Sequence, residues 1–485
     1  MNFILIVSDT FRRDHLGCYG NRWISTPHLD AFARAAQVFE NAYSASFPTV
    51  PNRRDVMTGC FTAAYTGWAP MTEKETVISQ LLSDAGYATA MVTDCPHILE
   101  NGYYFDKGFQ SWEWIRGQES DRWKTHPRHP ESPCDPKKIR NAARLSQRHR
   151  RAAAARRYES DTFVAQTMTR ACEWLEDNYR DGPFFLYVDT FDPHEPWDAP
   201  QWYVERYNPG YTAEAVDYPH YAFVKGYLSP KELDHCRALY AAEVTLVDRW
   251  AGRLLQKIGD LNLLDDTLVI FTTDHGFLLG EHGIIGKGLI PEDRLRYIPL
   301  YEEISHIPFI LHLPGGTAGR RKAVVQPQDI LPTILELAQL PIPKTVNGRS
   351  FARVIKGGPD RHRDFAVSAP FIGMETVFAT VWKDRWAAML RPGKRPAGAK
   401  QADKAIDGYA KLERAGGLAG EMLFDMAGDP QQQKNLVREH PGLMAELRAD
   451  LLSYFESAHA DEKLIEAWRK PPAKKKDSAA TYQRK

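Results

Sequence analysis

The stretch TTDHGFLLGEHG, residues 272–283, sets Asp274 and His275 side by side and follows them with Gly276. A carboxylate next to an imidazole suits a divalent cation held through oxygen and nitrogen, and the glycine lets the chain turn tightly against a ligand. Asp9 closes the apolar run FILIV, and Thr49 lies within SASFPTVPNRRDVMTG, residues 44–59. Together they extend the pair into a set that could hold a cation beside a hydroxyl group. Pro51 is comfortable in the first turn of a helix, so Thr49 is expected at or just before a helix N-terminus. Backbone N–H groups and the positive end of the helix dipole favour an alkoxide or a bound anion there. Arg53, four residues on, shares the same helix face and could grip an anionic oxygen through charge-assisted hydrogen bonds. The same spacing also fits a threonine that only caps the helix. Spacing by itself leaves both readings open.

Such residues need elements to carry them. Four apolar runs each end in acids or histidines: FILIV at Asp9, ATAMVT at Asp94 and His97, PFFLYV at Asp189, Asp192 and His194, and TLVIFTT at Asp274 and His275. With amphipathic segments such as DTFVAQTMTRACEWLEDNY between them, these runs predict an α/β fold. Its core would be a large, mostly parallel sheet, buried on both faces and flanked by helices. Ligands gather beyond the carboxyl ends of such strands, so the four polar clusters should converge on one edge. The first unit is expected to span residues 1–360, closing after QPQDILPTILELAQLPIPKTVNGRS. A smaller C-terminal α+β domain is expected over 361–470, with antiparallel strands in FAVSAPF, TVFATVW and RWAAMLRP and a helix in PGLMAELRADLLSYFESAHA. Residues 471–485 are polar and basic and read as a flexible tail.

Composition narrows the partners. The chain has 485 residues, more than the ~250–300 at which single cores usually stop growing. Its 62 basic and 62 acidic side chains cancel, so whole-chain charge predicts binding neither to nucleic acid nor to a membrane surface. One segment departs from this balance: residues 137–157, KKIRNAARLSQRHRRAAAARR, carry nine Lys and Arg and no acid. It could bind an anionic polymer, but the lack of interleaved aromatics favours a solvated helix or a subunit contact, and homo-oligomerisation stays open. The six cysteines are scattered without framework spacing, as expected of reduced thiols in a cytoplasmic protein. No run approaches the ~20 apolar residues that span a bilayer. The aromatic-rich NGYYFDKGFQSWEWIRGQESDRW could line a pocket or fill the core.

A resemblance gathers these pieces. ILIVSDTFRRDHLGCYG, PTVPNRRDVMTG, DPHEPW (192–197), YAAEVTLVDRWAGRLL (240–255), DTLVIFTTDHGFLLGEHGIIGKG, DILPTILELA and LFDMAGDPQQQKNLV, taken together, resemble the sulfatase family of the alkaline phosphatase superfamily over nearly the whole chain. The resemblance implies an alkaline-phosphatase-like fold with a catalytic domain over 1–360. It implies one divalent metal ion (Ca, Mn, Mg or Zn) bound by Asp9, Asp274, His275 and Thr49, with Thr49 at the nucleophile position and Arg53 as the motif arginine. His194 and Lys287 match positions that contact the transferred group or the leaving oxygen. A second metal, using Asp192, His194 and His282 as spare ligands, is the lesser alternative. Glu281 and His282 are read as supports of the ligand set.

Three departures from the family pattern matter. Thr49 stands where the family has the cysteine or serine converted to formylglycine. Thr10 and Phe277 stand where it has two more carboxylates. Its Gly-Lys-Trp-His segment is replaced by TDCPHILENGYYF, which offers Asp94 and His97; with Asn52 these are the expected substrate-binding residues. A formylglycine hydrate releases its ester by collapsing to the aldehyde. A threonyl ester must instead be cleaved by water at sulfur or phosphorus, in two in-line steps. The expected function is therefore ester hydrolysis with Thr49 as nucleophile, on small-molecule phosphodiesters or phosphonate monoesters. Sulfate-ester hydrolysis without formylglycine is the first alternative, and an inactive anion-binding protein is the second.

Overall fold

The computed structural model describes residues 1–290, 295–374, 377–394 and 420–472. The flexible-tail expectation for 471–485 therefore lies almost wholly outside the described residues. The main sheet has eight strands: β1 (Asn2–Ser8), β2 (Gln37–Ala42), β3 (Ala88–Thr93), β4 (Ser111–Trp114), β5 (Phe184–Thr190), β7 (Thr267–Thr272), β10 (Phe309–His312) and β11 (Gly319–Val325). A small three-stranded ribbon joins β6 (Ala222–Phe223), β8 (Leu278–Leu279) and β9 (Ile284–Gly286). The main sheet runs in the order β11-β2-β10-β7-β1-β5-β3-β4. β7, β1, β5, β3 and β4 are mutually parallel, and β10 is antiparallel to both of its neighbours.

The four runs singled out in the sequence are β1, β3, β5 and β7, which lie side by side. Each is apolar throughout because alternate residues enter different cores. Ile4, Ile6, Leu186, Val188, Val269 and Phe271 face one side of the sheet. Phe3, Leu5, Val7, Phe185, Leu268 and Ile270 face the other. With both faces covered, no position in these strands is left for polar alternation, as is usual for parallel strands. The first face is covered by the helices Phe163–Asn178 and Pro230–Asp260. The longer helix starts at a Ser229/Glu232 capping box with Pro230 in its first turn, which supplies partners to otherwise orphaned N–H groups. The second face is covered by Thr49–Thr58, Ile78–Asp84 and Ile330–Leu337.

A second, antiparallel sheet follows: β12 (Ala366–Ser368), β13 (Ala379–Lys383), β14 (Trp386–Leu390) and β15 (Met422–Asp425), in that order. Val381, Ala388, Leu390 and Leu423 pack against Leu447, Leu451 and Phe455 of the helix Pro441–Ser457. The opposite side, through Trp382, Ala387, Met389 and Phe424, shares a core with Phe47, Leu300 and Tyr301 of the larger unit. The second sheet thus presses on the segment that leads directly into Thr49.

The basic segment 137–157 includes the helix Gln147–Ala153, with Lys137, Arg144 and Arg157 exposed and other basic side chains paired within the fold. Lys138 pairs with Glu214 and Glu232, Arg150 with Asp217, Arg156 with Asp198, and Arg140 with Glu119 and Glu195. The acids absent from the segment come from elsewhere in the chain, and they pair four of its nine basic side chains.

The two units are also tied by Asp329, whose buried carboxylate accepts from Arg363 Nε at 2.7 Å and from Arg363 Nη2, and from the backbone N–H of Arg349 at 2.8 Å. Burial pushes this carboxyl up, but Arg363 and His362 outweigh it and hold it well below the ordinary range. A depressed carboxyl stabilises the fold fully above the unfolded value of about 3.9 and loses that contribution as pH falls toward the folded value. Asp329→Ala, which strands Arg363, should cost about 3–5 kcal/mol in urea unfolding at pH 7. The deficit should shrink as unfolding is repeated below pH 4; a deficit unchanged with pH would contradict this account.

Candidate active site

Thr49 is the first residue of the helix Thr49–Thr58, and Pro48 occupies the cap position without a side-chain cap bond. Thr49 is therefore not the capping residue that its spacing also allowed. Every residue of this helix is buried, and among the described residues the Thr49 hydroxyl has no hydrogen-bond partner.

One turn on, the Arg53 guanidinium is fully buried among three carboxylates. Nε and Nη2 donate to the two oxygens of Asp189 at 2.9 and 2.8 Å. Nη1 donates to Asp274 Oδ2 and lies 2.9 Å from Asp9 Oδ2. Tyr187 donates its hydroxyl to Asp189 Oδ2 at 2.7 Å. The expectation that Arg53 grips a substrate oxygen thus meets a different observed arrangement, in which it anchors the carboxylates at the ends of β1, β5 and β7. Asn52 donates to the Asp274 carbonyl at 3.0 Å, so it too ties this helix to the loop after β7.

Asp9, Asp274 and His275 each bring a ligand atom within 4.8 Å of the others, the one such group among the described residues. His275 Nδ1 lies 3.0 Å from the Gly276 carbonyl, which can only accept, so Nδ1 carries the hydrogen and Nε2 presents a lone pair. Burial, with Lys287 assisting against the opposing pull of Asp274, pushes the imidazole down to about 3. It is neutral at pH 7, as a metal ligand must be. Burial and the Asp274 carboxylate push the Asp9 carboxyl well above its ordinary value. Burial acts on Asp274 too, but His275 and Arg53 outweigh it and hold that carboxyl low. Asp9 Oδ2 makes no hydrogen bond despite its closeness to Arg53, because it lies off the N–H direction. An unbonded buried carboxylate oxygen and an imidazole nitrogen whose neighbour is the Lys287 ammonium are donors of the kind that a divalent cation takes up.

The remaining candidates divide. Lys287 is buried, donates to His275 Nε2 at 3.3 Å and sits 3.9 Å from Asp9 Oδ1. His194 is buried, and its Nδ1 is 2.6 Å from the Glu195 carbonyl, leaving Nε2 bare. Burial and then Lys287 push its imidazole well below the usual histidine range. His97, partly exposed, lies 2.8 Å from Glu119 Oε2 and touches Phe191, which stacks on His194 with ring centroids 4.1 Å apart. Asp94 is not directed at this cluster: it accepts the Phe191 N–H and the hydroxyls of Thr190 and Thr167, joining β3 to the loop after β5. Asp192 accepts from Gln118 and Val164, and His282 stacks on Tyr301, so neither joins His194 in a second ligand group. Glu281 pairs with Arg12. Of the aromatic-rich stretch, Phe105 is core, whereas Tyr104, Trp112 and Trp123 are exposed.

Sequence reasoning assigned no role to Asp189, Glu119, Glu195 or Arg140. Asp189 carried a signal, a lone acid inside an apolar run that must be partnered when buried. The others lie far apart in the chain and carried none.

A deep parallel sheet with an acid/imidazole cluster at its carboxyl edge defines a metal-dependent hydrolase of the alkaline-phosphatase type. The family pattern described as Sulfatase matches residues 1–340, and the chain belongs to that family. An arylsulfatase of Clostridium perfringens is 26% identical over 477 residues, spanning 90% of each chain. A multifunctional alkaline phosphatase superfamily protein of Trinickia caryophylli is 26% identical over 429 residues, spanning 74% of this chain and 77% of the relative. The crystal structure of the phosphonate monoester hydrolase of Agrobacterium radiobacter superposes with a TM-score of 0.70 at 19% identity, covering 94% of this chain and 96% of that one.

Arg53→Met leaves three buried carboxylates without their guanidinium. In chelator-treated protein it should cost about 3–5 kcal/mol, and a divalent cation should restore part of the loss in thermal melts. Equal melting with and without cation would show that Arg53, Asp9 and Asp274 do not share a cation site.

Proposed function

We propose that this protein hydrolyses small anionic esters with Thr49 as the nucleophile, and that phosphodiesters and phosphonate monoesters are its preferred class. The observation that carries this reading is the position of Thr49, the first residue of a helix, one turn from the arginine that organises the cation ligands. A divalent cation held by Asp9, Asp274, His275 and the Thr49 hydroxyl would lower the pKa of that hydroxyl and neutralise charge on the transferring group. Lys287, beside the same ligands, supplies the cationic contact for an equatorial oxygen. The His194 Nδ1 proton is committed to the Glu195 carbonyl, so the proton that passes to or from the leaving oxygen travels on Nε2. An anionic ester alongside raises the low imidazole pKa and loads that position. Because threonine has a single hydroxyl, the covalent ester is resolved by a second displacement at the central atom, which favours phosphorus. The similarity to the C. perfringens arylsulfatase supports the second reading, sulfate esters cleaved by unmodified threonine. The scattered free cysteines support a cytoplasmic protein, and no described helix is long and apolar enough to cross a membrane.

The donor set also favours a small transition-type cation, Zn or Mn, over Ca. Calcium takes six to eight oxygens, whereas the residues here offer two carboxylates, one imidazole and one hydroxyl. Phe277 is fully buried against Trp197 and Tyr221, and Thr10 directs its hydroxyl to Asp9 Oδ1 from a backbone at φ 61°. That left-handed conformation is strained for a β-branched residue and better suited to aspartate.

Two experiments test these readings. Turnover of matched nitrophenyl sulfate, phosphate, phosphodiester and phosphonate esters should be greatest on the last two, and Thr49→Ala should lose about 10³-fold or more. Dominant sulfate turnover would reverse the substrate preference, and full activity in the variant would remove Thr49 from the mechanism. In calorimetry of stripped protein, Zn or Mn should bind more tightly than Ca, and Thr10→Asp should raise Ca affinity by about tenfold. Tight Ca binding by the parent would overturn the metal assignment.

A further inference from the structure

The network behind His97 and His194 has a construction that stability does not explain. Arg140 lies between the rings of Tyr218 and Tyr221, 4.3 and 4.4 Å from their centroids. Its Nη2 donates to Glu195 Oε1 at 2.6 Å and lies 3.3 Å from Glu119 Oε1. Each tyrosine hydroxyl donates to one of the same carboxylates: Tyr218 to Glu119 Oε1 and Tyr221 to Glu195 Oε1, both at 2.6 Å. The two outer oxygens receive no protein hydrogen bond of good geometry. Instead Glu119 Oε2 faces His97 Nε2 at 2.8 Å, and Glu195 Oε2 faces His194 Nδ1 at 3.3 Å. Both glutamates are buried, and Glu119 sits at φ 38°, a conformation rarely adopted outside glycine.

Taking two carboxylates and a guanidinium out of water is costly, and well-packed apolar side chains in their place are often as stable or more so. Strained backbone of this kind collects where position matters. The network joins the two histidines: one guanidinium meets two carboxylates, of which one faces His97 Nε2 and the other belongs to Glu195, whose backbone carbonyl holds His194 Nδ1. Both imidazoles meet the ring of Phe191, so they share one side of the site.

We infer that Glu119 and Arg140 are positioning residues that set His97 and His194 jointly against the leaving group, and that the basic segment 137–157 is retained to deliver Arg140 to this position. The inference rests on the ester-hydrolase reading for its kinetic consequence, though not for its structural one. Arg140 reaches the site only through Glu195 and Glu119. One nitrogen, Nη2, meets both carboxylates, and the planar face lies between the two rings; lysine, without that face, cannot stack there.

The test compares full-length, metal-loaded parent with Arg140→Met, Arg140→Lys and Glu119→Gln, the last keeping the shape if the arginine variants fold poorly. The first readout is kcat/KM on aryl esters of graded leaving-group pKa. Misplacing a proton donor should cost about 10²-fold with the poorest leaving groups and little with the best, steepening the dependence. The second is the ¹⁵N shift of the His97 imidazole, whose Nε2 faces Glu119 Oε2; it should show one Nε2–H tautomer in the parent and a mixture in Arg140→Met and Glu119→Gln. A uniform loss across the series with an unchanged tautomer would reduce the network to packing and overturn the inference. A parent inactive on every ester, with the tautomer still altered in the variants, would leave the positioning role standing and remove the ester-hydrolase reading.

Discussion

The site depends on one buried guanidinium. Arg53 receives carboxylates from the ends of β1, β5 and β7 at once, so the relative heights of three strand ends are set by hydrogen bonds to a single rigid fork. Lysine could not do this, because its charge carries no planar arrangement of donors. The same helix carries Thr49 one turn earlier, so what aligns the ligands also fixes the hydroxyl. Asp9, Asp274 and Thr49 are in this way held by one helix.

That unit is electrostatically incomplete by itself. Asp9, Asp189 and Asp274 are set against Arg53 and Lys287, so one negative charge stays uncompensated at close range in a dry environment. The opposed behaviour of Asp9 and Asp274, one carboxyl pushed up and the other held down, is the physical expression of this excess. A divalent cation held by Asp9, Asp274 and His275 would relieve it and leave the site with a net positive charge. Recognition of the anion and retention of the metal therefore follow from the same charge balance.

The parts that surround the site serve it differently. The second sheet buries Phe47 against its inner face, and Phe47 in turn lies on the ring of His275 at 4.9 Å, so the smaller unit braces a ligand without contributing one. The segment 137–157 contributes Arg140 to the carboxylates behind His97 and His194. A stretch that looks like a cationic surface in the linear sequence thereby lends one of its side chains to buried carboxylates.

The sequence by itself determined the strands and the metal set. Runs such as FILIV and the LVIF of TLVIFTT are continuously apolar because both sheet faces are covered, and the acids that follow them lie at the carboxyl edge. Asp9, Asp274 and His275 were legible for that reason, since strand order does not alter which end they occupy. The helix at Thr49 was legible from Pro51. Tertiary structure alone decided how the charges pair. Arg53 could have faced an open pocket, but the convergence of three strand ends turns it toward carboxylates. Asp94 shares the strand-end position with Asp9, yet hydroxyls from neighbouring elements enclose it. Glu119, Arg140 and Glu195 meet across long separations in the chain. Their types and spacing carry no trace of the contact, because ion pairing depends on distance in space and is indifferent to order along the sequence.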